Sequence, residues 1–308
     1  MPSHRDVRIE SASLRFIPVE TRVPLKFGSE TLTSVTCARA SVTVANASGI
    51  EATGWGETPL SVQWVWPSSI SYSDRHDTLK DFTERLCPKI SSISAYGHAL
   101  ELGHDFLFGR LPKILADFNA GLRPGQEPMP WLAALVCASA FDVALHDAYG
   151  KINELPIYQA YGSDYLNRDL SAFLQPTGGS DVSFIGKAPA DYFDPSPKSL
   201  QPVWHLVGGL DPLTTADLTG DEPDDGYPVH LEDWIARDGL NCLKIKLRGN
   251  DADWDYDRLA AVGAIANKLA VDWLTTDFNC TVTDPAYVND ILDQLLVDEP
   301  LTYAKILY

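Results

Sequence analysis

Basic residues are scarce in this sequence. Lysine and arginine together number 24, against 42 aspartates and glutamates, so the formal net charge is −18. A protein that binds nucleic acid needs a basic surface opposite the phosphates, and an anionic membrane likewise attracts basic segments. The composition therefore argues against both partners. An anionic small molecule could still bind, but only at a local positive site.

Cysteine is also sparse. The five cysteines, at positions 37, 87, 137, 242 and 280, include no Cys-x-x-Cys pair, and an odd number cannot all form disulfides. This usage is typical of a reducing compartment. The N-terminus lacks the apolar core of a signal peptide. We therefore expect a cytoplasmic protein.

Long hydrophobic runs are nearly absent. The longest apolar stretch is residues 129–145, in which Asp142 and the helical spacing of the apolar residues predict a buried helix and no membrane span. The chain has 308 residues, of which 45% are hydrophobic. It can therefore bury a large core in one or two domains.

The most informative stretch is residues 243–247, with the sequence Leu-Lys-Ile-Lys-Leu. The pattern predicts a short strand, in which Lys244 and Lys246 share one face because side chains alternate. If that face lines a closed barrel, each ammonium group disfavours the charge on the other, and one lysine can act as a neutral base. The alternative is a half-exposed strand with both lysines in water.

Two further predicted strands end in acidic or amide residues. Residues 271–279 form an apolar run that ends with Asp277 and Asn279 on one face, and residues 295–300 have the sequence Leu-Leu-Val-Asp-Glu-Pro. In a parallel barrel the carboxyl ends of such strands meet at one mouth, where barrel enzymes carry their catalytic residues. Carboxylates from neighbouring strands are suited to a hard cation such as Mg²⁺.

The ordered set Lys-x-Lys, Asp-x-Asn and Asp-Glu-Pro resembles the enolase superfamily, specifically its mandelate racemase and muconate lactonizing branch. The resemblance implies that Lys246 is the base that removes the proton next to a carboxylate, and that Lys244 supports it electrostatically. It further implies that Asp277 is the first metal ligand and that Asn279 faces the substrate.

The second metal ligand departs from the family pattern. The resemblance places a glutamate two residues before a proline, and this chain has Asp298 there, one methylene shorter. Glu299 beside it offers a longer reach. The two side chains point to opposite faces of the predicted strand, so only one should be the ligand. We expect Asp298, with Glu299 as the alternative, and the implied cofactor is Mg²⁺, or Mn²⁺ in its place.

The N-terminal half predicts a small sheet and helices. Residues 7–19 and 35–44 alternate as strands, and the turn at residues 46–49 leads into residues 50–57 as a hairpin. The link at residues 21–33 is long for a hairpin connection, so a mobile loop is expected. Further along, Pro130 begins an amphipathic helix.

The predicted fold class is α/β. An α+β capping domain, with a three-stranded antiparallel sheet and helices, is expected over residues 1–165. The first half of a TIM-type β/α barrel is expected over residues 166–308. Residues 170–174 are expected as the first barrel strand, and residues 176–228, rich in Pro, Gly, Ser and Asp, as a long insertion.

The resemblance implies a magnesium-dependent enzyme that abstracts the α-proton of a small carboxylate substrate to give a metal-stabilised enediolate. A racemase or epimerase, an acid-sugar dehydratase and a cycloisomerase all share this chemistry, and a homo-oligomer is expected. The alternative is a non-catalytic relative that acts as a binding or structural protein. A phosphoacceptor αβ domain is a weaker idea, because it does not explain the paired lysines.

Four predicted strands cannot close an eight-stranded barrel. We therefore expect the sequence to be part of a longer chain, or to require a second half. The third metal ligand and the acid/base group on the opposite face of the substrate would then lie outside it. Those groups distinguish a racemase from a dehydratase.

Overall fold

The structure is a computed structural model that describes residues 3–27, 30–121, 127–194, 196 and 198–307. The strands are β1 (Val7–Phe27), β2 (Glu30–Asn46), β3 (Glu51–Pro59), β4 (His205–Val207), β5 (Cys242–Lys246) and β6 (Trp273–Asp277). The α-helices are α1 (Val62–Val65), α2 (Tyr72–Ser91), α3 (Ala99–Gly109), α4 (Leu111–Ala120), α5 (Trp131–Ile152), α6 (Leu231–Asp238), α7 (Ala252–Lys268), α8 (Pro285–Asp298) and α9 (Pro300–Tyr303). Short 3₁₀ helices cover Ile157–Ala160, Leu170–Ala172, Pro189–Tyr192 and Thr215–Asp217.

The chain divides into two compact units. The first unit comprises Met1–Val19 with Val35–Ser196, and the second comprises Glu20–Ser34 with Pro197–Tyr308. Each unit has its own buried hydrophobic core. The domain boundary near residue 165 stays a prediction.

The first unit is built on a three-stranded sheet in the order β1-β2-β3. Strands β2 and β3 pair antiparallel from Cys37 opposite Pro59 to Ala45 opposite Glu51, which confirms the predicted hairpin. Helix α5 packs directly on β3, because Gly54 and Gly56 leave no side chain between the strand and the helix backbone.

Helix α5 is long and apolar enough to cross a membrane by length and composition, and no other helix among the described residues meets that test. Half of the most apolar 18-residue stretch of this helix is buried inside the protein. Its buried face includes Phe141, Leu145 and Tyr149. It is therefore a core helix, as the pattern of residues 129–145 predicts.

Side chains of α5 also cover the free edge of β3. The Asp147 carboxylate accepts a hydrogen bond from the Trp55 backbone N–H at 2.8 Å. Lys151 donates to Asp147 at 2.7 Å and to the Thr53 carbonyl at 3.2 Å. Backbone groups at the middle of this edge therefore have partners within the unit.

The prediction of a loop over residues 21–33 is wrong. Strand β1 continues to Phe27 and β2 begins at Glu30, while residues 28 and 29 lie outside the described residues. The extended tip belongs to the second unit, where the Arg22 guanidinium binds both oxygens of the Asp225 carboxylate, at 2.6 and 2.7 Å. This bidentate ion pair is one of the contacts that the extended segment makes within the second unit.

The second unit contains a parallel sheet in the order β4-β5-β6. Leu243 and Ile245 of β5 are fully buried in the core of this unit, together with Leu259 and Val262 of α7. Since side chains alternate along the strand, Lys244 and Lys246 lie on the opposite face.

The strand predicted at residues 170–174 is wrong. Residues Leu170–Ala172 form a 3₁₀ helix, with the Asp169 side chain accepting from the Ser171 backbone N–H. The strand beside β5 is His205–Val207, which lies within the stretch predicted as an insertion. The few apolar residues around position 205 thus form the first strand of the parallel sheet.

The strand predicted at residues 295–298 is also wrong. Helix α8 runs to Asp298, with Leu295 buried and Val297 77% exposed. The residue that pairs with β6 on its outer side is Ile306, in a parallel bridge with Leu274.

Candidate active site at the ends of two parallel strands

Lys246 and Asp277 occupy paired positions at the carboxyl ends of β5 and β6. The Lys246 ammonium donates to Asp277 Oδ2 at 2.6 Å and to Asn279 Oδ1 at 2.9 Å. Lys244 Nζ lies 2.9 Å from the same Asp277 oxygen. The structure therefore brings together four of the five predicted site residues.

Asn279 is fixed by its backbone as well as by its side chain. Its φ of 55° lies in the left-handed region, which asparagine tolerates better than most residues. Its backbone N–H donates to Asp277 Oδ1 at 2.9 Å, and its Nδ2 donates to the Leu247 carbonyl at 2.6 Å. The amide oxygen is thereby directed at Lys246.

Exposure differs between the two lysines. The side chain of Lys246 is 14% exposed and that of Lys244 is 40% exposed. The half-exposed alternative thus describes Lys244 and not Lys246. Partial burial opposes ionisation of Asp277, but hydrogen bonds from Lys246 and Lys244 outweigh it and lower the pKa of Asp277 to about 2.

Asp298 does not join this cluster, which corrects the predicted second metal ligand. It is exposed at the C-terminal end of α8, where its Oδ2 accepts from the Tyr256 hydroxyl at 3.2 Å. A helix that follows a parallel strand runs back along the sheet, so its C-terminus lies at the amino ends of the strands, away from Asp277. Glu299, the alternative, follows directly and is displaced in the same way.

The described residues do not fit a complete magnesium site. Mg²⁺ needs near-octahedral oxygen ligation, whereas Asp277 is the one carboxylate among the four site residues that the structure brings together. Among the described residues, no group of three or more His, Cys, Asp or Glu side chains could hold a metal ion.

Asp255 is a further residue of this region that the sequence motifs do not single out. This carboxylate is fully buried and binds the backbone immediately after β5. Two patterns could have indicated it: an aspartate in the first turn of a helix, and an Arg-Gly turn directly after the Lys-x-Lys strand.

No protein-family model and no curated protein matches this sequence. Solved structures do match it. The L-Ala-D/L-Glu epimerase from Bacillus subtilis is 17% identical with a TM-score of 0.53, and the match covers 96% of this chain and 59% of the epimerase. An enolase from Bradyrhizobium, complexed with magnesium and mandelic acid, is 16% identical with a TM-score of 0.53, over 95% of this chain and 59% of that one.

The N-succinyl Arg/Lys racemase from Bacillus cereus gives a third match, at 17% identity and a TM-score of 0.52, over 96% of this chain and 57% of the racemase. This chain has the enolase-superfamily fold. The predicted fold class, a capping domain followed by part of a β/α barrel, is confirmed. So is the resemblance to the mandelate racemase and muconate lactonizing branch, at the level of the fold. The chain spans somewhat less than two thirds of the length of these enolase-superfamily structures.

Proposed function

We propose that this chain carries the general-base half of a site that removes the α-proton of a small carboxylate substrate, the reaction type of racemases and epimerases. The observation that supports the proposal is the cluster of Lys246, Asp277 and Asn279 at the carboxyl ends of neighbouring parallel strands, the position of active sites in barrel enzymes.

Each residue has a separate role in this proposal. Lys246 first releases a proton from its ammonium group to solvent, and the resulting amine accepts the α-proton on Nζ and becomes an ammonium group again. Asp277 and Asn279 then accept hydrogen bonds from that ammonium group, at the distances already present in the structure. Lys244, more exposed, attracts the substrate carboxylate and stabilises the negative charge that develops on it.

No step of the proposal involves a metal, because the residues that the structure describes do not supply a complete set of ligands. Magnesium is bound in the Bradyrhizobium enolase, and for this protein it enters as a dependence to be measured. A cytoplasmic location and a homo-oligomeric state stay predictions.

A second candidate function is ligand binding without catalysis. The second unit contains a cavity of about 630 Å³ whose lining includes Leu25, Leu206 and Trp234, and none of the four site residues is among its described lining. Such a mostly apolar cavity is large enough for a small molecule. A binding protein of this kind would hold a ligand there and leave Lys246 in its ion pair.

The test is proton exchange in heavy water. The 308-residue protein is incubated in D₂O with mandelate, L-dipeptides and N-acyl amino acids, with Mg²⁺ or with EDTA, and loss of the α-proton signal is followed by NMR. We expect exchange that falls 100-fold or more in Lys246→Ala. Lys268→Ala removes a lysine that is 67% exposed and pairs with Glu232, and should exchange like the wild type. Exchange that is absent, or equal in Lys246→Ala, contradicts the proposal.

A further inference from the structure

Asp255, in the first turn of α7, is a fully buried carboxylate, and within the described part of the chain none of its hydrogen bonds comes from a basic side chain. Burying a charge is costly unless donors replace the lost water. Here Oδ1 accepts from the Arg248 backbone N–H at 2.7 Å, and Oδ2 accepts from the Gly249 backbone N–H at 2.8 Å and from the Tyr287 hydroxyl at 2.7 Å. All three donors converge on one side chain.

The backbone that Asp255 holds is the loop directly after the Lys-x-Lys strand. The Leu247 carbonyl in this loop accepts from Asn279 Nδ2 at 2.6 Å, and the Leu247 N–H donates to the Asp277 carbonyl at 2.9 Å. Asn279 Oδ1 in turn accepts from Lys246. A continuous series of hydrogen bonds therefore leads from Asp255 to the Lys246 ammonium group.

The loop after β5 also packs closely on the loop after β6. Gly249 has a φ of 72°, and a Cβ there would lie 2.0 Å from Thr281 Oγ1 and 2.8 Å from the Phe278 carbonyl oxygen. The Thr281 hydroxyl also hydrogen-bonds the Arg248 carbonyl. With two of its backbone N–H groups bound by Asp255, this segment has little freedom to shift.

Tyr287 extends the arrangement to α8. Its hydroxyl donates to Asp255 and accepts from the Asp251 backbone N–H at 3.0 Å. Asp251 is the N-cap of α7, where its side chain accepts from Trp254. The negative charge of Asp255 also lies in the first turn of α7, where the helix dipole stabilises it.

We propose that Asp255 is a positioning residue of the proton-abstraction site. Its carboxylate fixes the Arg248–Gly249 backbone, which sets the Leu247 carbonyl, the Asn279 side chain and, through it, the Lys246 amine. This proposal rests on the proposed function for its catalytic consequence, while the hydrogen-bond series can be tested by itself. A carboxylate is required because the near-isosteric amide of asparagine can accept only one of the two N–H groups and presents its own NH₂ to the other.

The experiment compares Asp255→Asn with Asp253→Asn in the full chain. Asp253 is in the same first turn but exposed, so its variant should behave like the wild type. In Asp255→Asn we expect the Arg248 and Gly249 amide protons to shift upfield in ¹H–¹⁵N spectra. The amides of Leu247 and Asn279, which do not touch Asp255, should shift as well. The kcat of α-proton exchange should fall about 10- to 100-fold at a nearly unchanged KM.

Tyr287→Phe provides a second variant if Asp255→Asn does not fold. It removes one of the three donors and leaves both backbone bonds, so we expect smaller shifts of the Arg248 and Gly249 amides, again accompanied by shifts of Leu247 and Asn279. The proposal is overturned if Arg248 and Gly249 shift in either folded variant while Leu247 and Asn279 keep their wild-type signals, or if kcat is unchanged. If the wild-type protein exchanges no α-proton, the proposed function fails, and the amide signals still decide whether Asp255 controls the position of Asn279.

Discussion

Lys246 and Asp277 face each other across two strands in the same register position, with 2.6 Å between Nζ and Oδ2. Because side chains alternate, a slip of one residue between β5 and β6 would put the two groups on opposite faces of the sheet. The pairing register of β5 and β6 therefore determines that Lys246 and Asp277 lie next to each other. The buried residues Leu243 and Ile245 on the other face specify that register.

Acid should weaken the protein through Asp277. Its pKa is lowered from 3.8 to about 2 in the folded state, so its contribution to stability is present above about pH 4 and is lost as the pH falls towards 2. With the side chain 25% exposed, we expect that contribution to be about 1 to 2 kcal/mol. Urea unfolding at pH 6 and pH 2.5 should show a smaller acid loss in Asp277→Asn than in the wild type. An equal loss in both would contradict the prediction.

His98 should make the stability of the first unit depend on pH between about 6.5 and 4. Burial, followed by the nearby charge of His146, lowers its pKa from 6.5 to about 4. Its Nδ1 accepts from the Leu100 N–H as the N-cap of α3, so Nε2 carries the proton that Ala160 O accepts. Protonation of Nδ1 would remove this cap.

The direction of the change in stability with pH follows from the lowered pKa of His98. The unfolded chain takes up the proton first, so the stabilising contribution of His98 is complete above about pH 6.5 and falls by roughly 3 kcal/mol as the pH drops to about 4. Thermal unfolding between pH 7.5 and 4 should therefore be less pH-dependent in His98→Asn, which keeps a capping oxygen. The same slope in both proteins would exclude His98 as the cause.

Gly249→Ala should disrupt the loop that follows β5 at the candidate active site. The added Cβ combines a positive φ with the close approach of Thr281 and Phe278, and we expect a loss of about 3 kcal/mol or more in unfolding free energy. Gly239→Ala is the matched control, since Gly239 has a φ of 62° and a Cβ added there would have no atom within 4 Å. That control should lose only about 1 to 2 kcal/mol through left-handed strain. Similar losses in the two variants would show that the loops can separate without cost.

Gly54→Ala should separate α5 from the sheet. A Cβ at this position would lie 2.1 Å from the Ala144 carbonyl oxygen and 2.2 Å from the Ala148 nitrogen, so the helix must move. We expect a loss of at least about 3 kcal/mol, measured by circular dichroism during urea unfolding. Gly49→Ala, at a turn with no neighbouring atoms within 4 Å, should be far milder. A stable Gly54→Ala variant would mean that helix and strand tolerate a wider spacing.

The sequence predicts the Lys-x-Lys and Asp-x-Asn strands well, because apolar alternation and the polar residues at their ends point to the same face. It fails at residues 295–298, since a short apolar run looks alike in a strand and in a buried helix. In the structure, the residue that pairs with β6 on its outer side is Ile306, in an isolated parallel bridge with Leu274. The Asp-Glu-Pro motif therefore predicts Asp298 as a metal ligand, although the structure does not bring this residue to the site.

Longer-range contacts explain the other errors. Val23, Leu25 and Phe27 alternate as in a strand, but Pro24 and the following Gly28 favour a loop. The ion pair between Arg22 and Asp225, 203 residues apart in the chain, supports the extended form. The role of Asp255 depends on backbone N–H groups six and seven residues earlier. Such a contact between a side chain and the backbone leaves no periodic pattern in the sequence, so the pattern of side chains does not predict it.

The covered edge of β3 limits how copies of this protein can associate. Another strand could add beside Trp55 only by displacing the Asp147 carboxylate from its N–H, and beside Thr53 only by displacing Lys151 from its carbonyl. Edge-to-edge joining of two capping sheets, a common start of aggregation, is disfavoured there. A homo-oligomer of this chain should therefore not be assembled by adding a strand to β3.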